Sequence, residues 1–254
     1  MNNEINPELA QLQETLYKSN NPTRRWLHTR RRDTIIELIL KQSVDSSTSA
    51  VEVGPGSGVY LPTLCKQYDQ VTALDIEITH LNAIKPLQNE FGNLTLMHRD
   101  IASNEAMPCY DMVLASEVLE HVPSPELFVK GIAKSIKPGG TLILSTPQPF
   151  SFMELVCKIG LSKPMISIVQ KIYGEPVLPT GHISLTSKQS LKKMLLENNF
   201  EIVEESVQGL YIPFLAEFGG QRAVSISSWL EKKLISLGIT WPIWTQIYIA
   251  KRKA

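Results

Sequence analysis

Val51-Glu52-Val53-Gly54-Pro55-Gly56-Ser57-Gly58 is the stretch of this 254-residue chain that decides the fold. A short β-branched run leads into glycines at every second position. This pattern is typical of a strand followed by a tight loop whose backbone a ligand can approach closely. A dinucleotide fingerprint would need glycine in place of Val59, and a phosphate-binding P-loop would need Gly-Lys after the loop. A plain turn is the remaining alternative to a ligand-binding loop.

Outward from this loop, short apolar runs alternate with helical sequence. We predict seven strands, at Ala50–Val53, Val71–Leu74, Leu94–Met97, Met112–Ala115, Thr141–Ser145, Phe200–Val207 and Thr245–Ala250. The helices are predicted at about 6–18, 22–41, 60–67, 79–91, 125–136, 150–173, 187–199 and 225–237. Such alternation favours an α/β fold with a doubly wound, mostly parallel seven-stranded sheet and helices on both faces. The long connection between the last two strands suits an antiparallel strand at the edge of the sheet.

The chain divides into a helical cap and one α/β domain. We assign residues 1–48 to the cap and residues 49–254 to the domain, since this length suits one domain with additions. Within the domain, residues 150–182 are a helical, partly apolar lid insertion, which either covers a ligand or simply packs on the core. Its lysines and Pro164 prevent it from spanning a bilayer, although it could lie on one.

Composition excludes some classes of function. Lysine and arginine number 25, and so do aspartate and glutamate, so no net charge points to nucleic acid. The three cysteines show no metal or disulfide spacing, and the first residues do not resemble a secretory signal. We therefore expect a cytoplasmic protein. Five of the eight arginines lie within residues 24–32, and most of them share one helical sector with His28. They could bind a carboxylate, face solvent or meet anionic lipid.

Acidic residues lie in or just after the last residues of the first three predicted strands, where ligands bind in sheets of this kind. Asp75 lies about twenty residues beyond the glycines, the usual offset for a carboxylate that accepts both hydroxyls of a ribose. Asp100 could accept a hydrogen bond from an adenine amino group, with Ile101 packing on the ring. Glu52 could either accept backbone N–H bonds of the loop or hold a cationic amino group of the ligand.

Five segments, taken in order, resemble the motifs of class I S-adenosylmethionine-dependent methyltransferases. They are the glycine loop, Leu74-Asp75-Ile76, Arg99-Asp100-Ile101, the segment 110–122 and Ile136-Lys137-Pro138-Gly139-Gly140. The resemblance covers about residues 50–147. It is nearest to the ubiquinone-biosynthesis O-methyltransferases and related small-molecule methyltransferases. It implies S-adenosyl-L-methionine as cofactor, bound by Glu52, Gly54, Gly56, Gly58, Asp75, Ile76, Asp100, Ile101 and Ser116. It also implies methyl transfer to a small-molecule acceptor, which we expect to react through a hydroxyl oxygen and to be apolar or quinone-like.

The resemblance also bears on metal and catalytic residues. Glu117, Glu120 and His121 would correspond to residues implicated in a divalent metal site. Their spacing places them on one face if the segment is helical. The same string also braces the cofactor loop in relatives that need no metal, and we favour that alternative. Transfer to oxygen needs a base, and histidine suits neutral pH. We favour His182, in a loop facing the acceptor, and then His121, with His28 as a further candidate.

Two other functions stay open at the level of sequence. One is a nucleic-acid methyltransferase, although Ser116-Glu117-Val118-Leu119 replaces the Asn/Asp-Pro-Pro-aromatic string common in amino-group methylation of bases. The other is a cofactor-binding module without turnover. The partners we expect are a small-molecule acceptor and a membrane surface touched by the lid, with no nucleic acid.

Overall fold

The computed structural model describes residues 16–42, 48–103, 105–160 and 182–254. Within these ranges seven strands form one sheet: β1 Ser49–Val53, β2 Gln70–Asp75, β3 Leu94–His98, β4 Tyr110–Ser116, β5 Ile136–Pro147, β6 Phe200–Gln208 and β7 Thr245–Arg252. Their order is β3-β2-β1-β4-β5-β7-β6. Neighbouring strands from β3 to β5 are parallel, and β7 is antiparallel to both β5 and β6. The predicted doubly wound, mostly parallel sheet is confirmed.

Helices cover both faces of this sheet. They are α1 Pro22–Leu40, α2 Leu61–Gln67, α3 Ile78–Ile84, α4 Pro125–Lys134, α5 Phe152–Gly160, α6 Lys188–Glu197, α7 Leu215–Phe218 and α8 Gly220–Ser236. Alternate residues of a strand point to opposite faces, so β1 contributes to both cores. Val51 and Val53 pack with α4 and α6. Ala50 packs with α1, α2 and α3.

The position of the antiparallel strand differs from our expectation. We placed that strand at the edge of the sheet, whereas β7 lies inside, between β5 and β6. All of Thr245–Ala250 is buried, as a strand with neighbours on both sides requires. The edge of the sheet beside β7 is formed by β6, in which Glu201, Val203 and Glu204 are exposed.

Two predicted helices have different bounds. The helix expected at 79–91 ends at Ile84 and continues as a 3-10 helix at Lys85–Asn89, because Pro86 cannot donate the backbone hydrogen bond of an α-helix. The helix expected at 225–237 begins earlier, at Gly220. Of the expected lid helix, α5 is described, and residues 161–173 lie outside the described ranges, as do residues 6–15 of the first predicted helix.

Among the helices in the described ranges, none is both long and apolar enough to cross a membrane.

Candidate active site

The loop from β1 to α2 depends on its glycines. Gly54, Gly56 and Gly58 have φ values of 66°, 52° and 73°, which side chains other than glycine rarely adopt. A Cβ atom on Gly54 would also lie 2.6 Å from Cγ2 of Val118, in the loop after β4. The bare backbone therefore lets two loops meet at the carboxyl ends of neighbouring strands, where a ligand of this fold binds.

Glu52 is buried beneath this loop without a full set of partners. Its side chain belongs to β1 and only 2% of the residue is exposed. Among the described residues, no donor reaches its Oε2 atom. Burial raises the pKa of the Glu52 carboxyl well above its ordinary value. A buried acceptor without a donor is costly, so this oxygen is a natural place for a cationic or N–H group of a ligand.

Asp75 ends β2 with both carboxylate oxygens engaged. Its Oδ1 accepts the backbone N–H of Glu77 at 2.8 Å, and its Oδ2 lies 3.0 Å from Nδ1 of His80. The hydrogen bond with Asp75 raises the pKa of His80 above its ordinary value. His80 was not among the residues that the sequence pattern placed in the site. Its signal was its position in the first turn of α3, five residues after the strand-end aspartate.

The segments that end β3 and β4 present a third acidic side chain and a hydroxyl group. Asp100 is exposed, and its Oδ1 accepts the backbone N–H of Ala102 at 2.8 Å. Ile101 is buried in the core, whereas Ile76, beside Asp75, is 59% exposed. Ser116 ends β4, where its Oγ lies 3.0 Å from Oγ of Ser145. The structure thus brings these predicted residues to one edge of the sheet, with Ile76 as the more accessible apolar side chain.

The backbone of Glu117 is not helical, although its spacing from Glu120 and His121 suggested one helical face. It has a φ of 58°, and only Leu119–His121 form a short 3-10 helix, so the predicted helical face with Glu120 and His121 does not form. Instead, Glu117 Oε2 accepts a hydrogen bond from Arg31 at 2.7 Å. The adjacent Arg32 pairs with Asp33.

His28 is the least suited of the three candidate bases. It is buried on α1, and its ring lies edge-on to Trp244 with centroids 5.4 Å apart. Burial, followed by the charges of Arg31 and Arg24, lowers its pKa well below the ordinary value. A histidine in this environment is a weak proton acceptor, because its cationic form is disfavoured.

Glu120, His121 and His182 come together although the last is far along the chain. One ligand atom from each lies within 4.8 Å of the others. The carbonyl of Glu120 accepts the N–H groups of Ile183 and Ser184, at 2.9 and 3.0 Å, which docks the His182 loop here. Burial, and then the Glu117 carboxylate, raise the pKa of Glu120 well above its usual value. One carboxylate and two imidazoles could hold a divalent ion softer than Mg²⁺.

His182 is oriented by a buried carboxylate. Oε2 of Glu154, on α5, lies 3.0 Å from Nδ1 of His182, and the other oxygen accepts the indole N–H of Trp244 at 3.0 Å. The His182 and His121 rings have centroids 5.2 Å apart. Sequence reasoning missed Glu154 because the insertion was judged by its apolar residues. A carboxylate on Nδ1 leaves Nε2 as the proton acceptor of the ring.

Fold, glycine loop and strand-end acids together define a class I S-adenosylmethionine-dependent methyltransferase. A model of the methyltransferase domain family matches residues 24–205. This match exceeds half of the chain, and the chain belongs to that family. S-adenosyl-L-methionine is accordingly the cofactor, and the unpartnered Glu52 oxygen and the glycine loop fit its amino-acid end.

Two curated relatives are ubiquinone biosynthesis O-methyltransferases. That of Shewanella halifaxensis (strain HAW-EB4) is 36% identical over 150 residues, covering 56% of this chain and 62% of the relative. The mitochondrial protein of Schizosaccharomyces pombe (strain 972 / ATCC 24843) is 29% identical over 149 residues, covering 56% and 53%. The match therefore spans 53% to 62% of the length of these two relatives.

A solved structure agrees over the whole fold. The N-methyltransferase NodS from Bradyrhizobium japonicum WM9, in complex with S-adenosyl-L-homocysteine, superposes with a TM-score of 0.59. The match covers 97% of this chain and 99% of NodS at 13% sequence identity. At that identity the likeness is one of fold.

Proposed function

We propose that this protein methylates a hydroxyl oxygen of a small, apolar, quinone-like molecule, using S-adenosyl-L-methionine. The observation that carries this proposal is the Glu154–His182 pair, with Oε2 and Nδ1 3.0 Å apart. His182 of this pair lies beside His121 and Glu120, which belong to the segment that follows β4. A carboxylate-oriented imidazole next to a cofactor loop is the arrangement that proton removal from an acceptor hydroxyl requires.

The cofactor contacts are proposals made residue by residue. The backbone at Gly54, Gly56 and Gly58 lines the amino-acid end, where Glu52 receives the amino group. Asp75 accepts the ribose hydroxyls, and Asp100 accepts the adenine amino group. Ile76 packs on the adenine ring, with Ile101 supporting it from the core, and Ser116 closes the site at the end of β4. When bound, the cofactor supplies a methyl group carried on a sulfonium.

The protein's own residues align the acceptor and remove its proton. Glu154 accepts the Nδ1 proton of His182 and so keeps Nε2 ready to receive the acceptor's proton. As that proton passes to Nε2, the acceptor oxygen bonds to the methyl carbon and the carbon–sulfur bond breaks. His121, whose side chain is 45% exposed, is the second candidate for this role. Alignment and proton removal account for most of what such a displacement needs.

The apolar character of the acceptor is inferred from exposed side chains around the pair. Ile183 follows His182 and is 65% exposed, and Phe150, just before α5, is exposed to the same extent. Two relatives are named for ubiquinone biosynthesis. We also propose that the lid covers the acceptor and touches a membrane surface. Residues 161–181 of the lid lie outside the described ranges.

The test is methyl transfer from labelled S-adenosyl-L-methionine to catechols with alkyl tails of increasing length. We expect transfer that improves with tail length. His182→Ala should lower kcat by about 100-fold or more, the usual range for a general base. Its Kd for S-adenosyl-L-homocysteine should stay near that of the unaltered protein. Lys193→Ala is the control, because Lys193 is exposed on α6 and pairs there with Glu197.

Other outcomes would contradict the proposed base or favour a different function. If neither His182→Ala nor His121→Ala lowers turnover beyond its effect on stability, histidine base catalysis is wrong. Cofactor binding without transfer to any catechol or metabolite extract would favour a silent binding module. Transfer to nucleic acid alone would favour the nucleic-acid methyltransferase.

A further inference from the structure

His80 has no part in the chemistry proposed above, yet it is held against a predicted cofactor ligand. Its Nδ1 lies 3.0 Å from Oδ2 of Asp75, with 24% of the histidine side chain and 6% of the aspartate side chain exposed. The imidazole stands in the first turn of α3, directly after the loop that leaves β2. The pair therefore lies at the ribose position of the proposed cofactor site.

We infer that His80 is a positioning residue for the ribose end of the cofactor, holding the Asp75 carboxylate in its accepting orientation and balancing its charge. This inference rests on the proposed contact between Asp75 and the ribose. The Glu77 N–H bonds Oδ1 and the imidazole bonds Oδ2, so the carboxylate is held from both sides against rotation. Each oxygen keeps a second lone pair, so each can still accept one ribose hydroxyl.

The charges around His80 favour its cationic form. Asp75 and Glu77 are the acidic groups that act on it, and the hydrogen bond with Asp75 has the largest effect in raising its pKa. Two basic groups stand at the neighbouring end of β3. His98 contacts the carbonyl of Ile76 at 2.8 Å, and Arg99 pairs with Glu105 at 3.0 Å.

The pair makes cofactor affinity depend on pH. A bound ribose covers Asp75 and removes more water from its charge, so a cationic His80 stabilises the complex. Asp75 already raises the pKa of His80 in the free folded protein, so affinity is greatest below that raised pKa. It declines as the pH rises through the raised pKa and the cation is lost.

The experiment measures the Kd of 5′-methylthioadenosine by calorimetry from about pH 6 to about pH 9. This probe carries the ribose and adenine but no amino-acid group that titrates in that range. We expect His80→Ala to weaken binding about five- to tenfold at the acidic end, a fraction of the contribution of a charge-assisted hydrogen bond. His80→Asn places an amide nitrogen near the position of Nδ1, so it should bind nearly as the unaltered protein does at pH 9 while losing the pH dependence.

The controls separate this inference from the cofactor assignment. Lys193→Ala, on the exposed face of α6, should leave both the affinity and its pH profile unchanged. If Asp75→Ala binds the probe as tightly as the unaltered protein, the ribose assignment is wrong, and this inference with it. If Asp75→Ala loses binding while both His80 variants keep the original affinity and pH profile, only the inference about His80 is overturned. A lower melting temperature for His80→Ala at unchanged Kd also overturns it.

Discussion

At the scale of single residues, Glu52 is a proposed cofactor ligand whose burial bears on stability. Its buried carboxyl has an oxygen that no donor reaches among the described residues, and burial raises its pKa. The folded protein therefore keeps this proton to a higher pH than the unfolded chain, in which the carboxyl has its ordinary pKa of about 4.5. By linkage, this group's contribution to stability is greatest below that pH and falls as the pH rises through the folded-state pKa.

Glu52→Gln should remove this dependence, because an amide does not titrate. We expect its free energy of unfolding to change less between pH 5.5 and pH 8 than that of the unaltered protein, as measured by urea denaturation. S-adenosyl-L-homocysteine should raise the melting temperature of Glu52→Gln by less, since the carboxylate partner of the amino group is gone. Glu90→Gln, at an exposed position, should behave as the unaltered protein in both measurements. Equal pH profiles for Glu52→Gln and Glu90→Gln would contradict this account.

At the scale of elements, the glycine loop and the loop after β4 are interlocked. Gly54 has a positive φ, and a Cβ there would lie 2.6 Å from Cγ2 of Val118. The two loops belong to adjacent parallel strands, β1 and β4. Displacing either loop would therefore move Glu117, Glu120 and His121 relative to the cofactor loop.

We predict that Gly54→Ala weakens S-adenosyl-L-homocysteine binding by more than tenfold. It should also lower stability by about 1–2 kcal/mol, the usual cost of a side chain in this backbone region. Gly139→Ala is the matched control. Gly139 also has a positive φ, of 79°, but no described atom outside its chain neighbours lies within 4 Å of its Cβ position. It should lose similar stability and keep its affinity, measured by calorimetry. Similar affinity losses in both variants would mean that backbone strain alone, without the contact to Val118, accounts for the effect.

At the scale of the whole molecule, the last strand in the sequence completes the inside of the sheet. Within the described part of the chain, β7 pairs with β5 on one side and β6 on the other. Its buried residues Tyr248 and Ala250 join one core, and Ile247 and Ile249 join the other. Both layers of helices therefore depend on a segment within ten residues of the chain end.

A chain ending after Trp244 should fail to fold cooperatively. We expect thermal denaturation followed by circular dichroism to show no sigmoidal transition, and S-adenosyl-L-homocysteine to cause no stabilisation. A chain ending after Arg252 keeps β7 and should melt near the temperature of the full protein. A cooperative transition in the shorter chain would show that β1 to β5 form an independent folding unit.

The sequence by itself determined the strand–helix alternation, the glycine loop and the acidic residues at the strand ends. These features depend on short-range patterns: alternating burial, glycine at positive φ, and a carboxylate directly after an apolar run. The place of β7 was not read from the sequence, since the antiparallel strand was expected at the edge of the sheet and lies between β5 and β6. Helix bounds were predicted less well, since α3 ends at Ile84, before Pro86, and α8 begins at Gly220.

Only the tertiary structure decided which side chains meet at the proposed reaction site. Arg31 and Glu117 are 86 residues apart in sequence, and Glu154 and His182 are 28 apart. Such pairs leave no periodic trace, because hydrogen bonds between side chains depend on how elements pack and not on spacing along the chain. Glu117, which has a positive φ, likewise contacts Arg31 and Ser145, neither of which is near it in sequence. The cofactor loop was readable from residues 51–58, whereas the surroundings of the methyl acceptor required the folded chain.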